Sequence, residues 1–185
     1  MRITGGTYGG RRIDVPDTDA IRPTQDRVRE ALFNILAPEI AGADFLDLFA
    51  GSGAVGIEAL SRGAKSVVFV ERERRHLAVL KGNLGALRLA DDPRCVLVTA
   101  DAYRYLSAYS GAGFSIVFAD PPYALGEERG YAAVLATLAE RGVVRPNGLF
   151  IAEMTAAQRS EETPGWELLR DRTYGKTRIC IWRRQ

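Results

Sequence analysis

The 185-residue sequence has little cysteine, histidine or lysine, and no long apolar run. Its two cysteines, Cys95 and Cys180, stand apart in strand-like apolar stretches with no metal-ligand spacing. That excludes a disulfide scaffold and a cysteine-built metal site, and it predicts two buried free thiols. The single histidine, His76, lies in the charged stretch Glu71-Arg-Glu-Arg-Arg-His76 and reads as a solvated helical residue; no metal is expected. Apolar runs fall well short of the roughly 18 residues that span a bilayer, so no membrane association is expected. The opening Met1-Arg-Ile-Thr-Gly-Gly6 lacks the apolar core of a secretory signal, and a reducing cytoplasm is the expected compartment. There is no internal repeat, low-complexity tract or long linker. Apolar residues make up 46% and charged residues 26%, which excludes disordered and coiled-coil classes. At about 150 residues per domain, one domain is expected over 1–185: a hairpin-and-helix extension over 1–40 and a core over 41–185.

Charge is informative in its kind and position. The net charge is only +2, but the 25 basic residues are 22 Arg and 3 Lys. Guanidinium forks match phosphate bidentately and stack on bases, which suits a nucleic-acid partner; a GC-rich genome would produce the same bias. Residues 1–12 carry Arg2, Arg11 and Arg12 with no acid. Residues 170–185 carry Arg170, Arg172, Lys176, Arg178, Arg183 and Arg184 against Asp171 alone. If the two ends meet in the fold, they form a phosphate-facing surface.

Periodicity gives the fold class. Residues 1–15 read as a short hairpin, with Gly5-Gly6 and Gly9-Gly10 as turns. A helix follows from Pro23 to Pro38, with Thr24 as N-cap and an apolar stripe of Val28, Ala31, Leu32, Ile35 and Leu36. Strands are expected at Asp44–Phe49, Ser66–Val70, Cys95–Thr99, Ser115–Ala119 and Leu149–Glu153. Helices are expected near 54–62, 73–88, 102–108 and 128–141. This alternation predicts an α/β, doubly wound, mostly parallel sheet. Trp166–Thr173 and Thr177–Arg183 around Tyr-Gly-Lys form an antiparallel hairpin at its edge, giving seven strands.

Two motifs follow strands, where such sheets bind ligands. The first is Asp47-Leu-Phe-Ala-Gly-Ser-Gly-Ala-Val-Gly56, which satisfies G-x-G-x-x-G, with Glu71 ending the next strand. The glycines permit close backbone approach and the acid suits ribose hydroxyls. Nicotinamide-dependent oxidoreductases and methyltransferases share this pattern. A carboxylate at Asp47 would repel a pyrophosphate but attract the free ammonium of S-adenosylmethionine, unless it merely caps the turn. The second motif is Asp120-Pro121-Pro122-Tyr123. The two prolines stiffen the chain, so the Asp120 carboxylate and a neighbouring carbonyl form an acceptor pair suited to an exocyclic amine. Tyr123 offers a flat face for a base. The alternative reading is a Pro-Pro turn with a solvated aspartate.

Asp-Pro-Pro-Tyr after a glycine loop resembles the Rossmann-type, S-adenosylmethionine-dependent methyltransferases that modify exocyclic amines of nucleobases. More closely, residues 21–34 and 47–60, with Met1-Arg-Ile-Thr-Gly-Gly6 and Gly10-Arg-Arg12, are similar to the bacterial 16S rRNA guanine-N2 methyltransferase family. The similarity runs over essentially the whole chain and is loosest over 155–185.

The resemblance implies S-adenosylmethionine as cofactor, with Asp47, Phe49, Ala50, Gly51, Ser52 and Gly53 against its methionine and ribose parts. Glu71 would take the ribose hydroxyls and Arg72 would flank the adenine. Asp101, with Ala102 nearby, would bond the adenine amino group, or else cap the following helix. Arg22, Pro23, Thr24 and Arg27 would line the rim. Asp120, Pro121, Pro122 and Tyr123 would hold a flipped guanine. Arg2, Arg11, Arg12, Arg27, Lys176 and Arg178 would meet RNA phosphates. The expected partner is 16S rRNA within an assembling small ribosomal subunit, read by shape, and the enzyme is expected to be a monomer. A DNA adenine-N6 methyltransferase fits the acceptor motif equally, but no DNA-reading domain is visible. A protein glutamine methyltransferase would usually begin the motif with Asn. An oxidoreductase leaves Asp120–Tyr123 unexplained, and a decayed RNA-binding module would have lost it.

Overall fold

The computed structural model describes residues 1–16, 23–121, 131–160 and 162–185. The described strands are β1 (Asp44–Leu48), β2 (Ser66–Glu71), β3 (Cys95–Thr99), β4 (Phe114–Ala119), β5 (Val144–Thr155), β6 (Trp166–Tyr174) and β7 (Thr177–Arg184). The described helices are α1 (Pro23–Ile35), α2 (Ala37–Ile40), α3 (Ala54–Ser61), α4 (Arg74–Ala86), α5 (Ala102–Ala108) and α6 (Tyr131–Glu140). The seven strands form the expected mixed, mostly parallel α/β sheet. The chain divides into two compact units, Met1–Asp101 and Ala102–Gln185.

In the first unit the strands run β3-β2-β1, all parallel, with Leu46 level with Val68 and Val68 with Val96. Both faces of β1 and β2 are covered, so Phe45, Leu46, Leu48, Val67, Phe69 and Val70 are buried. α3 lies close against β2 because residue 56 is glycine: a Cβ there would sit 2.3 Å from Phe69 Cε1. β3 departs from expectation. It ends the run, its residues are half-buried or exposed, and Cys95 is half-buried, not buried. Cys180, in the second unit, is buried as expected.

The N-terminal segment is less regular than a hairpin. One antiparallel bridge joins Arg2 and Arg12, and Ile3 exchanges backbone bonds with Gly10 and Arg11. Burial of Ile3 and Ile13 anchors it, at about 2 kcal/mol each. Thr24 is a correction as well. α1 already includes Pro23, placing Thr24 inside the helix instead of at its cap. Proline suits a first helical position because its missing N–H has no partner to lose there.

The second unit runs β4-β5-β7-β6. β4 and β5 are parallel, whereas β5–β7 and β6–β7 are antiparallel, so the edge hairpin lies where expected. β5 begins at Val144, five residues before the expected Leu149. The strand runs through an irregularity at Pro146-Asn147-Gly148: the register jumps from Phe114↔Val144 to Ile116↔Leu149, and Asn147 takes φ 62°. Phe150 stacks on Trp182 (5.6 Å), and Trp182 on Tyr131 of α6 (6.4 Å).

Candidate active site

The glycine loop of the first unit is held by buried carboxylates. Asp47, near the end of β1, is buried, and its Oδ2 accepts from the Gly56 N–H at 2.9 Å. Gly56 lies in the first turn of α3, so Asp47 does cap that helix. One of its two oxygens is used in this way. Burial pushes the Asp47 carboxyl up to about 7; the Gly56 N–H opposes that shift and the nearby Glu71 charge adds to it. A cation beside Asp47 would therefore find a group prepared to ionise against it.

Glu71 closes the loop from the end of β2. Its Oε2 accepts from Gly51 N–H at 2.9 Å, and its Oε1 from the N–H groups of Arg72 and Glu73 at 2.8 Å each. His76 Nδ1 lies 3.5 Å from Glu71 Oε2, and the His76 side chain is only 27% exposed. The histidine is thus turned back onto the loop, and the expectation of a solvated residue is corrected. Arg72 Nη1 donates to Asp101 Oδ2 at 3.3 Å, which brings two of the expected adenine-side residues together.

The loop also has the open backbone that a ligand needs. Gly51 takes φ 55°, and a Cβ built on it would meet nothing nearer than Phe49 O at 3.9 Å. Phe49 itself takes φ 63°, a conformation unfavourable for a bulky side chain. Such strain occurs where the surroundings impose it, often at ligand sites. Asp47, Phe49, Ala50, Gly51, Ser52, Gly53, Glu71, Arg72 and Asp101 all belong to this unit. Pro23 and Thr24 open α1, Arg27 is exposed, and Arg22 lies outside the described residues. Ala102, buried, opens α5 in the second unit.

Two buried polar supports, one of the loop and one joining α3 to the N-terminal segment and α1, went unread in the sequence. Asn83 of α4 is buried; its Nδ2 donates to the Ser52 and Asp14 carbonyls (2.9 Å each), and its Oδ1 accepts from Asp14 N–H (2.7 Å). The available signal was an amide on the apolar face marked by Leu77, Leu80 and Leu84. Glu58 of α3 accepts from the Thr4 N–H and hydroxyl at 2.8 and 2.7 Å, and from Arg62 and Arg29 at 2.8 and 3.4 Å. Burial alone would raise its pKa, but these donors hold it below the usual range. A glutamate inside the apolar run Val55–Leu60 was the clue.

In the second unit, Asp120 is exposed directly after β4, and Pro121 is buried. Pro122 and Tyr123 lie outside the described residues. Tyr131 donates its hydroxyl to the Glu153 carbonyl at 3.1 Å; burial and the Asp120 charge hold that phenol well above its ordinary pKa.

The basic residues divide into two kinds. Arg2, Arg11 and Arg12 are exposed; Arg2 donates to Gly10 O and Arg11 to Ala86 O, each through one guanidinium nitrogen. Lys176 is exposed. Arg178 is engaged in a fork on Asp171, with Nε to Oδ1 at 2.7 Å, and donates to Gln158 O. That fork holds the Asp171 carboxyl below its ordinary range. Among the described residues there is no cluster of three or more His, Cys, Asp or Glu able to hold a metal, and no helix long and apolar enough to cross a membrane.

A family model described as Conserved hypothetical protein 95 matches residues 1–183. The chain belongs to that family. Similar proteins include Ribosomal RNA small subunit methyltransferase D of Escherichia coli K12, 38% identical over 188 residues, covering 100% of this chain and 90% of that one. The Haemophilus influenzae protein of the same name is 36% identical over 178 residues, covering 95% and 89%. The solved structure of Escherichia coli yhhF matches with a TM-score of 0.86 at 35% identity, covering 100% of this chain and 98% of that one. This family member is a methyltransferase with the Rossmann-like methyltransferase fold.

Proposed function

We propose that this enzyme transfers a methyl group from S-adenosylmethionine to the exocyclic N2 amine of a guanine in small-subunit rRNA. The observation that carries the reading is full-length similarity to a protein named for small-subunit rRNA methylation, in a chain that keeps Asp120-Pro121 at the end of β4. The whole chain is read as one methyltransferase domain acting as a cytoplasmic monomer on rRNA inside an assembling particle.

The first unit fits the donor. When bound, S-adenosylmethionine supplies an electrophilic sulfonium methyl. Asp47, desolvated and able to ionise near neutral pH, suits the ammonium, and the open side of Gly51 admits the ligand against backbone. Glu71 and the Arg72–Asp101 pair suit the ribose and adenine ends. In the second unit Asp120 accepts an N–H of the target amine, orients its lone pair and stabilises charge developing on nitrogen. Pro122 and Tyr123, by the motif, complete that acceptor site. Arg2, Arg11, Arg12, Arg27 and Lys176 are proposed phosphate contacts; Arg178 would have to exchange Asp171 for phosphate.

Transfer of labelled methyl to unmethylated small subunits, naked small-subunit rRNA and duplex DNA, followed by nucleoside analysis, tests the reading. N2-methylguanosine, formed more efficiently in particles than in naked rRNA, is the expected product. N6-methyladenine in DNA would overturn the substrate, and equal methylation of short naked oligomers would overturn recognition by shape.

A further inference from the structure

β4 and β5 run parallel with Val117 level with Phe150, Phe118 with Ile151, and Ala119 with Ala152. The residues that follow this last level pair are Asp120, directly after β4, and Glu153, still within β5. Register partners in a parallel pair face the same side of a sheet, about 4.8 Å apart. The aspartate read as the acceptor and a second carboxyl, the latter on a rigid strand, thus follow the same level pair, and Tyr131 lies within electrostatic reach of both. Glu153 is half-buried, and among the described residues no ion pair reaches it. Its backbone is fixed twice, by pairing with Ile179 and by the hydroxyl of Tyr131 on its carbonyl. Burial raises its pKa, while the Thr177 hydroxyl beside it favours the charged form. A desolvated carboxyl without a cation is completed by a ligand that brings N–H donors.

We propose that Glu153 is the specificity-determining residue of the acceptor site, accepting the N1–H of the target base and so selecting guanine. This rests on the methyl-acceptor reading of Asp120. Ionised, Asp120 and Glu153 present acceptors only. Guanine answers with three N–H bonds on one edge, at N1 and N2. Adenine and cytosine each offer an amine flanked by a ring nitrogen lone pair, which a carboxylate repels. Asp120 thus takes an amine and Glu153 tells which base carries it.

The probe is 2-aminopurine, which keeps the exocyclic amine at C2 but has a lone pair at N1. Once the methylated nucleotide has been mapped with the wild-type enzyme, it is replaced by 2-aminopurine in the small-subunit rRNA. The wild type should prefer guanine by at least about tenfold in kcat/KM, the range of one discriminating bidentate contact. In Glu153→Gln the amide can donate to N1, so guanine activity falls and the preference collapses by about tenfold or inverts. Glu153→Asp, which keeps the acceptor but shortens it, should lose rate and keep the preference. S-adenosylmethionine affinity and Tm confirm that each variant is folded. A preference unchanged in Glu153→Gln, or an equal loss on both bases, would overturn the proposal while N2-methylguanosine from the wild type leaves the underlying reading standing. Absence of N2-methylguanosine from the wild-type reaction would overturn both.

Discussion

The buried carboxylates of the first unit and the Asp120 carboxylate of the second are placed in opposite ways. In the first, Asp47, Glu58 and Glu71 are buried, and each accepts from at least one backbone N–H. In the second, Asp120 is exposed at the end of a strand. A buried carboxylate bonded to backbone shapes the chain around it, so its removal disturbs fold and ligand affinity together. An exposed one at a strand end can be lost with little structural consequence, so its effect is confined to chemistry. On the proposed reading, the donor side is shaped by its own backbone bonds, whereas the acceptor residue stands exposed at a strand end.

The largest effect expected from this contrast is at Asp120. Asp120→Ala should lower kcat by about a thousandfold, the scale of losing a donor or acceptor aimed at developing charge. S-adenosylmethionine affinity by calorimetry and Tm should stay near wild type. A parallel collapse in affinity would place Asp120 on the donor side and dissolve the distinction.

Glu58→Ala should give the converse result. It leaves the buried Arg29 with Asp26 as its carboxylate partner, and strips Arg62 and Thr4 of theirs, at a cost of about 3 kcal/mol in urea unfolding. Activity of the fraction that remains folded should change far less than in Asp120→Ala. A loss under about 0.5 kcal/mol would mean that the cluster is a surface feature.

Asp47 combines both roles and gives the comparison a pH axis. Its folded pKa, about 7, lies above the unfolded value of about 3.9. The stability it contributes is therefore complete below about pH 4 and lost as pH rises through about 7. Binding of an ammonium needs the carboxylate, so S-adenosylmethionine affinity should rise toward pH 7 by up to about tenfold per unit and then level off. Asp47→Asn should bind more weakly and show neither slope. A wild-type affinity that is flat from pH 5 to 8 would remove Asp47 as the ammonium partner.

Much of this organisation was legible in the sequence, and the exceptions have physical reasons. Short apolar runs located β1, β2 and β4, the segments between them located helices α3 to α5, and Tyr-Gly-Lys marked the edge hairpin. The start of β5 was missed because Asn147-Gly148 is a turn signal that here sits in a strand irregularity. Cys95 was misjudged because sequence cannot tell an edge strand from a central one. Asp47, Glu71 and Asp120 were singled out because each belongs to a motif with local chemistry. Asn83, Glu58 and Glu153 were not, because their roles depend on partners distant in the chain: Ser52 and Asp14, Thr4 and Arg29, and the strand bearing Asp120. Polar residues inside apolar runs were the common signal, and it marks importance without naming the partner.

The smallest effect separates the two basic stretches. Arg12 in the first unit is exposed, whereas Arg178 in the second is forked onto Asp171 and the Gln158 carbonyl. A phosphate contact made by Arg12 releases counterions, so Arg12→Gln should reduce the slope of log K against log salt by about 0.7 for single-stranded RNA. Arg178 starts from an intramolecular partner, and an RNA phosphate there must first displace Asp171. Arg178→Gln should therefore lower Tm slightly, through loss of a partly exposed pair worth under about 1 kcal/mol, with the salt slope nearly unchanged. If both substitutions reduce the slope equally, Arg178 exchanges its partner on binding, and the C-terminal hairpin belongs to the RNA interface as fully as the N-terminal segment does.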